Sequence, residues 1–411
     1  MAAPNATLGD SHNFGRRVVV RGRRVLKPRT VLWEWLVLSH DSPLRGALGV
    51  AAERAGEPRL FGFLPTLRFF AGKDGVGGSV ERLQLSALGR LAPAEKRELA
   101  RIVGRAVALF SWLGIADLHW ENLVLGRDRQ GQIVFGPLDV ELILADLSLP
   151  TQTKLLPDAD PEYADVCRHA AGVRRALPYL GKPIEADALV AMAGAYLFTL
   201  ELLEREHATL ARAFADVPGL KDTPIRVCLR GTDEYVRASA HPPWPPLLDA
   251  ERVQLERGDI PYFFRFYGRP GLHYFGNRAL TELRRLPLRG DVPQLEPLLS
   301  VARGLRAPSR TTLQQDGLFT LLGAFDDASF TGEHQSDGVA VRFGARALRV
   351  DLPDGRQLET RRNLRQFVAS VYLPCRCGEV RTAFVPAVTR CSMAPRRAAR
   401  YSSAGGRDAS L

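Results

Sequence analysis

The alternation of apolar and polar residues predicts a β-rich first part of the chain. Residues 14–30 read FGRRVVVRGRRVLKPRT, and two β-branched runs that flank an Arg-Gly turn are typical of a hairpin. Residues 31–39 (VLWEWLVLS) are apolar with one charge and fit either a helix or a strand. Residues 59–70 have a strand-like composition, and the glycine-rich residues 71–80 indicate a loop. We therefore expect a sheet here.

Helical periodicity dominates the middle of the chain. Apolar residues recur at helical spacing over residues 94–116, and again over residues 186–214, which predicts one long helix in each range. Between them, residues 123–135 contain two apolar runs around a polar GRDRQGQ turn, which favours a second hairpin. Residues 339–360 alternate and turn at Asp354-Gly355, a third hairpin. This mixture predicts an α+β fold.

Length and composition narrow the class of protein. A chain of 411 residues has room for two to three domains. Its longest apolar run, residues 188–200, is shorter than the roughly 18 residues that indicate a membrane span. The first residues, MAAPNATLGD, lack the pattern of a signal peptide, and the five cysteines form no disulfide framework. We expect a cytoplasmic protein without a membrane span.

The net charge of +11 raises the question of nucleic-acid binding. The basic residues are mostly scattered arginines, and no zinc finger, recognition helix or aromatic RNA-binding strand accompanies them. A polyanionic substrate such as a nucleotide explains local positive charge equally well, so we expect no nucleic-acid partner. Cys375 and Cys377 form a lone CxC without further ligands nearby, so we expect no zinc site there.

The polar residues best suited to catalysis or metal binding are concentrated in residues 117–144, DLHWENLVLGRDRQGQIVFGPLDVELIL. Asp117 and Asn122 have the spacing of the protein-kinase catalytic loop, in which the Asp accepts a hydroxyl proton and the Asn holds a metal ion. His119 lies between them and could position Asp117 or take part in proton transfer. A metal hydrolase built on His119 is a weaker alternative, because no second histidine lies at ligand spacing.

Two carboxylates follow the hairpin, as a metal-binding Asp follows the catalytic loop of a kinase. Asp139 and Glu141 alternate through an apolar residue, so in a strand both side chains would point the same way. Their oxygens, together with the amide oxygen of Asn122, suit Mg²⁺. Lys27, at the end of a hairpin strand about 90 residues earlier, has the chain order of the kinase lysine that pairs with phosphate. A solvated strand face is the alternative reading of the two carboxylates.

Four stretches, in order along the chain, carry a family resemblance. They are GDSHN at residues 9–13 followed by the hairpin ending in Lys-Pro-Arg, DLHWEN at residues 117–122, PLDVEL at residues 137–142, and IRVCLRGTDEY from residue 225 continuing into GDIPYF at residues 258–263. Together they make the chain resemble the dehydratase domain of class II lanthipeptide synthetases, over residues 9–290.

The resemblance implies a lipid-kinase-like two-lobed catalytic core with added helices. It implies ATP-dependent phosphorylation of Ser and Thr in a ribosomally made precursor peptide, followed by elimination of phosphate to dehydroalanine or dehydrobutyrine. The residues that carry over are Asp10, His12 and Lys27 for phosphorylation, Asp117, His119 and Asn122 as the catalytic loop, Asp139 and Glu141 for Mg²⁺, and Arg226 and Thr232 for elimination. Lys73, in the glycine-rich loop, is a further candidate phosphate contact.

The sequence predicts a specific geometry for the segment from Arg226 to Thr232. If it is extended, Arg226, Arg230 and Thr232 would face one side as a cationic row that carries a hydroxyl group. An arginine can then hold the departing phosphate by two parallel hydrogen bonds. The alternative is a surface strand with solvated arginines.

The predicted organisation has four parts: residues 1–90 as a β-rich lobe with the glycine-rich loop, 91–304 as the catalytic and elimination part, 305–390 as a small α/β extension, and 391–411 as a disordered tail. The zinc-dependent cyclase that follows this domain in the family is not expected, so ring closure would need a separate cyclase. The competing hypotheses are an inactive truncated relative, a kinase-like phosphotransferase with another substrate, and an ATP-binding scaffold.

Overall fold

The computed structural model describes residues 6–71, 78–145, 150–157, 171–181, 184–230, 232–240, 248–286, 304–308, 313–362, 372–375 and 379–381. Over these residues the chain is a mixed α+β protein with several small antiparallel sheets. The predicted α+β class is therefore confirmed, while the two-lobed kinase-like arrangement stays a prediction. The predicted tail at 391–411 lies outside the described residues.

A five-stranded antiparallel sheet forms the first part of the chain, in the order β1-β2-β3-β5-β4. The expected hairpin is confirmed, with Arg21 paired to Arg24 across its turn. The strand expected over residues 59–70 is wrong in extent, because it begins only at Phe69. The preceding apolar residues form turns whose side chains are buried in the core. The strands are β1 (Ala6–His12), β2 (Arg16–Arg21), β3 (Arg24–Lys27), β4 (Phe69–Ala71) and β5 (Gly78–Glu81).

Two helices lie between β3 and β4. Residues 31–39, for which the pattern left helix or strand open, form α1 (Leu32–Leu38), and α2 (Pro43–Arg54) follows. Ser42 caps α2 by accepting a hydrogen bond from Arg45 N at 3.1 Å. Trp33 and Leu36 of α1 are buried, so this helix packs its apolar face into the core.

The predicted helix and hairpin at the centre are confirmed. Helix α3 (Pro93–Trp112) starts with a proline in its first turn and with the Glu95 carboxylate accepting from Ala92 N at 3.0 Å. It delivers the chain to a short 3₁₀ turn (Trp120–Asn122) and then to the hairpin of β6 (Leu123–Arg127) and β7 (Ile133–Pro137). After β7 the residues from 138 to 145 run without regular structure.

The long helix expected over residues 186–214 is two helices, because the chain leaves helical geometry at Glu206. The change of direction lets Leu210 and Phe214 reach the core, where Phe214 stacks on Trp33 with ring centroids 6.1 Å apart. The short α4 (Leu177–Leu180) precedes this pair, which consists of α5 (Ala186–Arg205) and α6 (His207–Ala215).

Helix α5 is long and apolar enough to cross a membrane by length and composition alone. However, 78% of its most apolar window is buried inside the protein. It packs against α3 so closely that a Cβ atom on Gly104 would lie 2.1 Å from the Met192 carbonyl oxygen. These contacts are those of a core helix.

A second antiparallel sheet, in the order β11-β10-β9-β8, carries the segment expected to serve elimination. Its strand β8 pairs with β9, so that Arg226 lies opposite Phe264. The elements of this region are β8 (Pro224–Val227), α7 (Thr232–Ala240), α8 (Asp249–Glu256), β9 (Phe263–Phe266), β10 (Arg269–Phe275) and β11 (Leu283–Arg285).

The last part of the chain forms a helix and a four-stranded meander that pack on α5. The hairpin predicted for residues 339–360 is confirmed at its Asp354-Gly355 turn, and the range contains one strand more than expected. Leu318, Val339 and Val341 belong to the same core as α3 and α5. The elements are α9 (Asp316–Phe325), β12 (Gly332–Ser336), β13 (Val339–Phe343), β14 (Ala347–Asp351) and β15 (Gln357–Arg361), followed by the pair β16 (Tyr372–Cys375) and β17 (Glu379–Arg381).

Candidate functional site

Lys27 ends strand β3 with its ammonium group buried against three acceptors. The side chain is 6% exposed. Its Nζ donates to Glu34 Oε1 on α1 at 2.9 Å and to the Leu138 carbonyl oxygen at 3.0 Å, and it lies 3.4 Å from Asp139 Oδ1. One lysine therefore joins the first sheet, helix α1 and the segment after β7.

Arg29, two residues later, bridges all the carboxylates of this cluster. Its guanidinium group binds Glu34 and Asp139, and its Nε lies 2.9 Å from Glu141 Oε2. Burial alone would raise the pKa of Asp139, but the charges of Arg29 and Lys27 outweigh it and hold that pKa well below its usual range. Asp139 is therefore an anion that is neutralised from within the protein.

Glu141 connects this cluster to the second sheet. Its carboxylate pairs with Arg226 of β8, and its carbonyl oxygen accepts from Arg226 N at 2.9 Å. Tyr262 donates its hydroxyl to Glu141 Oε2 at 3.4 Å, and the Arg226 guanidinium lies 5.3 Å from the Tyr262 ring centroid. Burial and the Glu141 charge raise the pKa of Tyr262 well above its usual range, so its hydroxyl stays a hydrogen-bond donor.

His12, at the end of β1, lies against the same tyrosine, with ring centroids 5.6 Å apart. Its Nδ1 is 2.8 Å from the Ile260 carbonyl oxygen. Because a carbonyl can only accept, Nδ1 carries the proton. Burial, followed by the charge of Arg226, lowers the pKa of His12, so the neutral ring keeps its Nε2 unprotonated. Asp10 is exposed two residues earlier and favours the protonated ring through its charge.

Asp117 and Asn122 form a second group. The Asn122 amide donates to the Asp117 carbonyl oxygen at 2.9 Å and to its Oδ2 at 3.3 Å, while Lys154 Nζ lies 3.3 Å from Oδ1. Asp117 has a left-handed backbone, with φ of 65°. His119 caps the following turn, its Nδ1 accepting from Glu121 N at 3.4 Å, which is a different contact from the expected one to Asp117.

Charges from both groups act on Cys228. Burial raises the pKa of this thiol, and Asp117 and Glu141 both add to the effect through their charges. A backbone hydrogen bond of 2.9 Å from Leu138 N to Asn122 O also ties Asn122 to the neighbour of Asp139. Residues from the four stretches that carry the family resemblance therefore lie in one region of the structure.

The donor types expected for Mg²⁺ are present, and the carboxylates among them are paired with arginines in this structure. Arg29 contacts both Asp139 and Glu141, and Arg226 takes the other oxygen of Glu141. Within the described ranges, no group of three or more His, Cys, Asp or Glu side chains could hold a metal ion. Arginine guanidinium groups therefore contact the two carboxylates that the sequence predicted as Mg²⁺ ligands, and the magnesium site stays a prediction.

The extended row expected from Arg226 to Thr232 is wrong. Strand β8 ends at Val227, and Thr232 is an exposed residue that begins helix α7. The Arg230 side chain is buried and pairs with Glu251 at 2.8 Å, so it does not extend a row from Arg226. Lys73 lies outside the described residues.

Four residues of the site had no role predicted from the sequence: Glu34, Arg29, Tyr262 and Lys154. Glu34 had a usable signal, because it is the one charge in the apolar run of α1. Arg29 and Tyr262 stand inside motifs that carry the family resemblance. Lys154 had no signal, since its contact with Asp117 depends on the tertiary fold alone.

No protein-family model matches this chain, and no curated protein matches it either.

Proposed function

We propose that this protein transfers the terminal phosphoryl group of ATP to Ser and Thr hydroxyls of a peptide and then eliminates the phosphate. The observation that carries the proposal is the position of Lys27 between Glu34 and Asp139, at 2.9 and 3.4 Å. Protein kinases use a similar combination, a strand lysine paired with a helix glutamate near a metal-binding aspartate, to hold ATP phosphates.

Asp117 acts as the general base for phosphorylation. In this step the hydroxyl oxygen bonds to the terminal phosphorus, the bond to the bridging oxygen breaks, and ADP leaves. The hydroxyl proton passes to Asp117, whose carboxylate is held by Asn122 and Lys154 and is 33% exposed. A general base must reach its substrate within hydrogen-bond distance, and partial exposure gives a peptide hydroxyl that access.

Arg226 and His12 support elimination. Here a base takes the Cα proton, the Cα–Cβ double bond forms, and the Cβ–O bond breaks as phosphate leaves with the electron pair. Arg226 would hold the departing phosphate. His12, kept neutral by burial and by Arg226, is a base that can accept the proton, in addition to the phosphorylation role that the resemblance implies.

The peptide nature of the substrate rests on the family resemblance of the four motifs. A precursor peptide with Ser, Thr and Cys residues would be its substrate, and a separate cyclase would close the rings. ATP is the proposed donor. The magnesium site stays a prediction, and no step above depends on it.

The internal neutralisation of the carboxylates favours a second candidate, an ATP-binding scaffold without turnover. Arg29 satisfies Asp139 and Glu141 together, so a protein that kept this arrangement with nucleotide bound would bind ATP and leave it intact. An inactive relative would have the same property.

ADP release, measured with and without a Ser/Thr/Cys-rich peptide encoded near the gene, separates these candidates. Phosphotransfer predicts turnover that the peptide stimulates and that Lys27→Met abolishes, whereas a scaffold predicts nucleotide binding without turnover. Lys96→Met on α3 is the control for loss of a lysine outside the site. If peptide-stimulated turnover persists in Lys27→Met, Lys27 does not hold the ATP phosphates and the proposal is contradicted.

A further inference from the structure

Lys154 brings a solvent-accessible cation to the proposed base. Its Nζ lies 3.3 Å from Asp117 Oδ1, and its side chain is 40% exposed. The other cations of the site, Lys27, Arg29 and Arg226, are 6%, 13% and 13% exposed and are paired with Glu34, Asp139 and Glu141. Of these four cations, Lys154 is the one most open to an incoming anion.

A built turn presents this lysine. Lys154 has a left-handed backbone, with φ of 61°, which costs conformational energy for a residue with a side chain. The turn is fixed by hydrogen bonds from Leu118 N to Thr153 O at 2.8 Å and from Gly172 N to Lys154 O at 3.0 Å. The buried Thr153 hydroxyl adds a bond to the Pro150 carbonyl oxygen at 2.6 Å. The segment therefore holds Lys154 beside Asp117 in spite of the strain.

By itself, the ion pair between Lys154 and Asp117 does little to explain why the strained turn holds Lys154 in this position. A half-exposed pair contributes little to folding stability, because water screens it and both side chains lose freedom. A lysine ammonium group is, however, a compact charge with three donors that binds phosphate oxygens. A hydroxyl in hydrogen-bond contact with Asp117 would bring a phosphate attached to it next to Lys154.

We propose that Lys154 binds the phosphate of the phosphorylated substrate side chain, so that the site recognises a phosphomonoester as well as ATP. The inference rests on the proposed function for its physiological meaning. The binding itself can be measured without any ATP turnover. Lys154 would stabilise the phosphoryl group on arrival and hold it until elimination.

Thermal unfolding and calorimetry with N-acetyl-phosphoserine amide test the proposal, with inorganic phosphate as a second probe and N-acetyl-serine amide as the uncharged control. We expect both phosphates to stabilise the wild-type protein by mass action. Lys154→Met should weaken phosphoserine binding about tenfold or more, Lys154→Arg should restore part of it, and Lys96→Met should bind as the wild type does. Lys96 lies about 24 Å from the end of α3 that leads to the site.

The outcomes separate binding from a structural role. If Lys154 only positions Asp117, Lys154→Met slows peptide phosphorylation while phosphoserine affinity stays unchanged, which would overturn the proposal. Equal binding of phosphoserine and serine, or no phosphate binding by the wild type, would overturn it as well. Lys154-dependent phosphate binding without peptide-stimulated ADP release would support this site and reject the proposed function.

Discussion

Glu34, Asp139 and Glu141 share the cations Lys27, Arg29 and Arg226 in a cluster that is largely shielded from water. Each buried ion loses several kcal/mol of hydration, and removal of one partner from such a pair typically destabilises a protein by about 3–5 kcal/mol. Variants in this cluster therefore need a folding measurement beside any activity assay. The sequence could predict Lys27, Asp139 and Glu141 from motif spacing. It could not predict that Arg29 would neutralise the carboxylates, because that pairing is a property of the assembled site.

Asp117 allows a test at the residue scale with less effect on folding, since a third of its side chain is exposed. Asp117→Ala should lower peptide phosphorylation by about 10²- to 10⁴-fold, the usual value of general-base catalysis. Nucleotide affinity should remain, because Lys27 and the groups around it are intact. Calorimetry with ADP and a phosphorylation time course measure the two quantities. Lost ADP affinity with unchanged turnover would make Asp117 a binding residue instead.

At the scale of elements, one carboxylate fastens the β1–β2 turn to the region after α8. Asp259 is fully buried and accepts from Ser11 Oγ at 2.7 Å, Phe14 N at 2.7 Å, Gly15 N at 2.9 Å and Arg257 Nε at 2.7 Å. Strand β1, which leads into this turn, carries Asp10 and His12. The sequence predicted both stretches as motifs and the hairpin as an element, but it could not show that one residue ties them together. Helix α7 was missed because an extended row was expected from motif spacing.

Asp259→Asn should destabilise the fold by about 3 kcal/mol at pH 7, since charged hydrogen bonds and a buried ion pair are lost. Burial raises the pKa of Asp259. The hydrogen bonds from Ser11, Gly15, Arg257 and Phe14 lower it by a larger amount, so the pKa in the folded protein is below its usual value. Its contribution is therefore present above the unfolded carboxyl pKa of about 3.9 and is lost as pH falls through the folded pKa.

Urea unfolding at pH 7 and at pH 3 measures this dependence, with Asp41→Asn as the control because the Asp41 side chain is 73% exposed. The difference in unfolding free energy between wild type and Asp259→Asn should shrink at pH 3. A difference of the same size at both pH values would show that the charge of Asp259 contributes nothing.

At the scale of the whole molecule, α3 and α5 join the candidate site to the C-terminal meander through one core. The helical periodicity predicted α3, and it predicted α5 only as the first part of one longer helix. It could not predict how closely they pack, because a glycine inside a helix pattern indicates only a weaker helix. At Gly104 the helices approach closely, because the Met192 carbonyl oxygen leaves no room for a Cβ atom. The predicted division of the chain at residue 305 stays a prediction, although residues on both sides share this core.

Gly104→Ala should destabilise the protein by about 1–3 kcal/mol through overpacking, although alanine favours a helix by about 1 kcal/mol over glycine. Gly49→Ala on α2 is the matched control, since nothing lies within 4 Å of its added Cβ, and it should be neutral or stabilising. Chemical denaturation of the two variants gives both values. Equal stabilisation by the two substitutions would contradict the close contact of α3 with α5.

The central claim, phosphorylation followed by elimination, is tested most directly by the intact mass of the candidate peptide. The Ser/Thr/Cys-rich peptide encoded near the gene is incubated with ATP and either the wild-type protein or its Arg226→Ala variant, whose folding is checked by circular dichroism. Thr232→Ala serves as a milder second variant, because its side chain is exposed at the start of α7. We predict loss of water with the wild type and accumulation of phosphorylated peptide with Arg226→Ala. A peptide of unchanged mass with the folded wild type, or loss of water without ATP, would contradict the claim.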